Sequence, residues 1–176
     1  MLMECLAAGR SISLPALSVG AAQMATRVSG AYATVREQFD TPIGRFEGIE
    51  EPLARIAGKT YMMTATRTLT CGALDAGEKP AVLSAIAKAY LTDGMREVVI
   101  DAMDIRAGAA IQKGPRNSLA RMWDAVPIGI TVEGANILTR SMIIYGQGAI
   151  RCHPFVLREI TAIAAGDLKN FDRALF

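Results

Sequence analysis

Ile49, Leu53, Ile56, Thr60 and Met63 recur at steps of four, three, four and three residues, which lays them along one face of an α-helix. The same stripe returns in Val82, Ile86 and Ala89, and again in Met95, Val98, Val99, Ala102 and Ile105. Nowhere in the 176 residues do apolar and polar side chains alternate for long, so strands with one buried face are not indicated. The spacing predicts an all-α chain. Residues 1–153 are expected to form an antiparallel four-helix bundle on short loops, and 154–176 a short C-terminal helical extension.

Local breakers divide the chain. The first helix is expected from about Met3 to Phe39, kinked at Pro15 and stopped by Asp40-Thr41-Pro42-Ile43-Gly44. The second opens between Gly48 and Pro52, where Glu50 and Glu51 suit the positive end of a helix dipole. It closes at Asp75-Ala76-Gly77, with Gly77 as C-cap. The third follows Lys79-Pro80 and frays at Ala107-Gly108. Gly114-Pro115-Arg116-Asn117 reads as a loop and Ser118 to Ala125 as a short helix closed by Pro127. A fourth long helix opens near Gly134, and Pro154 precedes the last, shorter one. Tyr61-Met62-Met63 reads as core.

Composition removes several functions. The chain is 51% hydrophobic, enough for a real core, and only 6% aromatic. A net charge of +2 with no Lys/Arg block gives no nucleic-acid footprint. No apolar run approaches the ~18 residues of a membrane span. Glu4 and Arg10 interrupt any signal-peptide core. Cys5, Cys71 and Cys152 are odd in number and widely spaced, and His153 is the one histidine. No disulfide framework and no metal site are expected, and a reduced, cytoplasmic setting fits.

Three segments carry candidate chemistry. Glu133 follows the apolar run Ile128-Gly129-Ile130-Thr131-Val132 and precedes Gly134 at a helix start. There a carboxylate would be partly desolvated and raised toward a useful base, and Gly134 would let a ligand approach the backbone. On these residues alone a helix-capping glutamate is the favoured reading. Arg36-Glu37-Gln38-Phe39-Asp40-Thr41-Pro42-Ile43-Gly44 gathers an Arg, an amide and a hydroxyl just before and within a turn, and offers a guanidinium for pyrophosphate, or an ordinary cation at a helix C-terminus. Asp101 to Ala109 ends in small residues that permit close backbone approach, or simply frays. Gly146-Gln147-Gly148 is no dinucleotide fingerprint, since it lacks a third glycine and follows no strand.

Together, in this order and spacing, these segments resemble the C-terminal helical domain of the acyl-CoA dehydrogenases, over nearly the whole chain to about Ile160. Gly9-Arg10 resembles the start of that domain's first helix, and Arg36 to Phe39 with Thr41-Pro42-Ile43 its Arg-x-x-Phe-Gly turn. Phe46-Glu47-Gly48-Ile49 resembles the next helix start, and Asp101 to Gly108 a segment ending in a Gly pair. Val132-Glu133-Gly134-Ala135-Asn136 with Arg140 resembles its Glu-Gly-Thr-Asn signature. The wording from Val132 to Pro154 is similar to the bacterial fatty-acid β-oxidation branch.

The resemblance reverses the reading of Glu133. It implies α,β-dehydrogenation of an acyl-CoA thioester to a trans-2-enoyl-CoA, with Glu133 removing the α-proton and FAD taking the β-hydrogen as hydride. It implies cofactor contacts from Arg36, Gln38, Phe39, Asp104, Ala107, Gly108 and Asn136, with Arg36 on the pyrophosphate of a neighbouring subunit's FAD. Gly134 would border the substrate. It further implies missing N-terminal helical and β domains, so that Met1 would fall at an internal boundary. A dimer or tetramer is implied, as is an electron-transfer flavoprotein or other acceptor, with peripheral contact at the inner membrane as a variant of the cytoplasmic setting. The sequence departs from the family at Asp40 for Gly, Asp104 for Gln, Ala107 for Gly and Ala135 for Thr. An acyl-CoA oxidase or other flavin enzyme of the same fold, or a non-catalytic helical assembly module, are the alternatives.

Overall fold

The computed structural model describes residues 2–175, and omits the side chains of 2–8, 11, 142, 149 and 151. Cys5 lies among the omitted side chains. Three long helices carry the fold: α1 (Leu2–Val35), α2 (Glu47–Asp75) and α3 (Ala81–Arg106). Their directions follow from side-chain pairs. Arg55 meets Asp101 at 2.8 Å and Lys59 meets Glu97, so α2 and α3 are antiparallel. Gly94 completes the series, since a Cβ there would lie 3.1 Å from Met63 Sδ. Arg106 closes α3 with its guanidinium 5.4 Å above the Tyr32 ring near the end of α1. Near the opposite end, α1 offers Ser13 and α3 offers Lys88 to the same turn around residue 134. Helices α1 and α3 therefore run the same way, pack on each other, and run opposite to α2.

The fourth position of the bundle is filled in two pieces. Helix α5 (Ser118–Thr131) packs on α3, as does a run made of α6 (Asn136–Leu138), a π-helical stretch (Thr139–Gln147) and α7 (Gly148–Cys152). Val19, Ala22 and Ala25 of α1, Ile56 and Met63 of α2, and Leu119 and Val126 of α5 close around Leu91, Met95, Val98, Val99, Ala102 and Ile105 of α3. Ile56, Val98 and Val99 are 0% exposed. Burying each contributes roughly 1.5–3 kcal/mol. The expected α2 stripe holds, with Ile56, Thr60 and Met63 buried and Ile49 and Leu53 half-buried. Thr60 and Thr26 satisfy each other's hydroxyls at 2.9 Å.

Gly77 ends α2 with φ +84. The Glu78 N–H donates to Ala73 O and the Gly77 N–H to Leu74 O, the paired bonds of a Schellman cap. Asn117 caps α5 by accepting from the Ala120 N–H at 3.1 Å and donates to Ala110 O and Gln112 O, tying the one-turn α4 (Gly108–Ile111) to it.

Several expected boundaries move. Helix α1 ends at Val35, and the next residues form a two-stranded ribbon, β1 (Glu37–Gln38) with β2 (Thr41–Pro42), too short to show a period of two. Helix α5 runs through Pro127 to Thr131 because Val126 and Gly129, buried against α3, hold it there. The extension is two helices, α8 (Val156–Ala165) and α9 (Leu168–Leu175). His153 Nδ1 accepts from the Phe155 and Val156 N–H groups at the start of α8. Tyr61 and Met62 are 79% and 61% exposed and only Met63 is core, since adjacent residues on a helix point different ways. No described helix is long and apolar enough to cross a membrane.

Candidate functional site

Between α5 and α6 the backbone turns through two left-handed residues, Glu133 at φ +55 and Gly134 at φ +90. Glycine adopts this freely, but a residue with a Cβ needs the surroundings to hold it. Lys88 does so from inside the core. It is 0% exposed. Its ammonium donates to Ile130 O at 3.1 Å, Gly134 O at 2.7 Å and Asn136 Oδ1 at 2.8 Å, one acceptor for each N–H. The Asn136 amide nitrogen in turn faces Ala89 O, Thr92 Oγ1 and Asp93 Oδ1 on α3, all within 3.1 Å. Thr139 adds a hydroxyl bond to Gly134 O at 3.0 Å. Burial pushes the Lys88 ammonium below the usual lysine range, and Arg10 pushes the same way against Glu133 and Asp93.

The Glu133 carboxylate points outward from this brace. Ser13 Oγ on α1 lies 3.2 Å from Glu133 Oε1 and 3.1 Å from Gly9 O. Arg10 completes the surroundings, with Nη2 3.7 Å from where a Cβ on Gly134 would sit. Its buried Nε has no partner among the described residues. The desolvation expected at Glu133 is not supplied by this chain, because Ile128 and Val132 before it are themselves exposed, as is Glu133.

At the other end of α1, Arg36, Gln38 and Phe39 sit on the ribbon. Phe39 and Asp40 have φ of +53 and +56, the pattern of a type I′ hairpin turn, and Gln38 pairs with Thr41 across it. Asp tolerates this conformation better than most residues, which explains how it replaces a glycine. Phe39 is 91% exposed. Asp104 and Ala107 are exposed nearby at the end of α3, and a Cβ on Gly108 would meet nothing within 4 Å. Ala107 has φ +47 and ψ −129. Arg106, between them, carries a buried Nε without a partner among the described residues.

The candidate residues thus form two groups. Arg36, Gln38, Phe39, Asp104, Ala107 and Gly108 share one end, and Glu133, Gly134 and Asn136 share the other. Ser13 and Tyr32 mark the two ends on α1, and at 1.5 Å per residue they are about 28 Å apart. Asn136 takes a different job from the expected cofactor contact. It is 2% exposed, and its amide is used up on Lys88 and α3. Lys88 was missed in the sequence, although it lies on the buried stripe Ser84, Lys88, Thr92, Met95 and Val99, where a charge is out of place.

The family model "Acyl-CoA dehydrogenase, C-terminal domain" matches residues 1–146. The chain belongs to the acyl-CoA dehydrogenase family. A second model, "Acyl-CoA dehydrogenase, C-terminal, bacterial type", matches residues 150–176, the part that holds α8 and α9. The probable acyl-CoA dehydrogenase FadE10 of Mycobacterium tuberculosis is 28% identical over 96% of this chain and 26% of its own length. The 3-(aryl)acrylate reductase of Clostridium sporogenes is 29% identical over 80% of this chain and 37% of its own. The crystal structure of glutaryl-CoA dehydrogenase from Mycobacterium smegmatis superimposes with a TM-score of 0.77 at 25% identity, over 83% of this chain and 36% of that one. This acyl-CoA dehydrogenase domain therefore spans well under half the length of the proteins it matches.

Proposed function

We propose that this domain supplies the base and part of the FAD site of a dehydrogenase that converts fatty acyl-CoA thioesters to trans-2-enoyl-CoA in β-oxidation. The observation that supports this most is the exposed Glu133 carboxylate, set on a left-handed turn beside a glycine and held from both sides by Ser13 and Lys88. A carboxylate placed this way removes the α-proton of a thioester laid against Gly134, which has no side chain of its own to hold the substrate off. The rest of the substrate pocket belongs to surfaces outside this chain, which would exclude water from Glu133.

The residues at the ribbon end fit a flavin dinucleotide. Arg36 is an exposed guanidinium suited to a pyrophosphate, Phe39 an exposed ring suited to stacking, and Ala107-Gly108 a backbone surface open to close approach. What FAD supplies when bound is a two-electron acceptor for the β-hydrogen. Arg36 and Glu133, being at opposite ends of α1, would serve different sites in a homo-oligomer. An electron-transfer flavoprotein or similar acceptor and a cytoplasmic setting complete the proposal.

The test is anaerobic flavin absorbance of the whole protein, with and without Glu133→Gln, on adding a long-chain acyl-CoA. Bleaching in the parent, and a variant that keeps its flavin unbleached, is the expected result. Equal bleaching in both places the base elsewhere, and a parent without flavin leaves this domain an assembly module.

A further inference from the structure

We infer that Lys88 is a positioning residue, which fixes the Glu133-Gly134 backbone from inside the core and so sets the direction of the Glu133 carboxylate. The inference rests on the reading of Glu133 as the base. An ammonium with no exposure is expensive to bury, by several kcal/mol per ion unless every N–H is matched. Here every one is matched, and all three acceptors belong to a single stretch of chain. A core needing only volume at this position would take a methionine or leucine.

The three acceptors are not equivalent. Ile130 O is one of the last carbonyls of α5, which lack intrahelical partners. Gly134 O is the carbonyl of the second left-handed residue, and Asn136 Oδ1 belongs to the first residue of α6. Lys88 therefore pins the end of one helix, the turn, and the start of the next helix to one point. Asn136 repeats the attachment in the other direction, from the turn back to Ala89, Thr92 and Asp93 of α3. The result is a crossed pair of tethers between α3 and the turn. Without it, the side-chain bonds left on the turn among the described residues are that of Ser13 to the Glu133 carboxylate and that of Thr139 to Gly134 O.

The test uses the whole flavin-loaded protein with Lys88→Met and, as a milder cut of the same brace, Asn136→Ala. Two readouts are taken: amide exchange at residues 132–136 against residues 95–105, and anaerobic flavin reduction by a long-chain acyl-CoA. Exchange at 132–136 should quicken about tenfold or more while 95–105 stays protected, as expected for local opening. The reduction rate constant should fall about 10²-fold with flavin content retained and acyl-CoA affinity within about threefold, the pattern of a displaced reacting group. If Lys88→Met does not fold, Asn136→Ala carries both readouts. Unchanged exchange at 132–136 overturns the inference. So does quickened exchange with an undiminished reduction rate. Quickened exchange in a protein whose wild type no acyl-CoA reduces would remove the dehydrogenase reading and leave Lys88 as the residue that sets the turn.

Discussion

Ser13 and Glu133, 120 residues apart in the chain, meet with Oγ 3.2 Å from Oε1. A hydroxyl has one proton, and Ser13 has a second acceptor in Gly9 O at 3.1 Å. The contact is therefore a restraint that α1 offers and can withdraw. Ser13→Ala should lower flavin reduction by acyl-CoA roughly three- to tenfold, the worth of one ordinary hydrogen bond. Flavin content should not change. Stopped-flow reduction of the two proteins checks it, and equal rates would remove Ser13 from the site.

Arg36 is exposed and follows the end of α1, one turn past Tyr32, so more than about 28 Å of helix separates it from Ser13, the residue of α1 that meets Glu133. Arg36→Ala should weaken flavin retention roughly 10- to 100-fold, the loss of one charge-assisted hydrogen bond. Its urea midpoint should match the wild type. Flavin titration of the apoprotein decides this, and unaltered affinity would separate Arg36 from the cofactor.

Ala107 occupies a conformation that glycine favours, at φ +47 and ψ −129, with its methyl exposed. Ala107→Gly should therefore stabilise the fold by about 1 kcal/mol, strain relieved less the entropy a glycine adds to the unfolded chain. Urea unfolding reads this directly. A lower midpoint would mean that the methyl is packed in the assembled protein.

Lys88 makes stability depend on pH. Folding lowers its pKa from the ordinary 10.5, through burial first and Arg10 second, with Glu133 and Asp93 opposing. Below the lowered value both states hold the proton and Lys88 adds no slope. Between it and 10.5 the unfolded chain binds the extra proton, so raising the pH favours the fold. The stability of wild type relative to Lys88→Met should accordingly rise with pH through that alkaline window and stay level below it. A difference that stays level throughout would contradict the buried charge.

The helices were legible because their faces were. The stripe through Ile56, Thr60 and Met63 and that through Met95, Val98 and Ile105 are both buried as read. Turn chemistry was legible at Gly77, where a glycine meets a positive φ. The ribbon after Val35 was not, since two-residue strands leave no period to read. Pro127 misled because packing on α3 outweighs one missing helix bond. The Glu133 turn was visible as a carboxylate beside a glycine. Its support was not, because Lys88 and Asn136 are far apart in sequence and a lysine in a helix is ordinarily taken to face water. The four non-glycine residues with positive φ among the described residues, Phe39, Asp40, Ala107 and Glu133, nevertheless fall in the three segments singled out by sequence.

The length of α1 has a genetic consequence. If one catalytic centre takes its cofactor anchor from one copy and its base from another, a copy defective at Arg36 and a copy defective at Glu133 can repair each other. In a mixed dimer of the two, one centre inherits both lesions and the other inherits neither. Two inactive alleles would then complement in a cell that expresses both, whereas lesions at the same end of the helix would not.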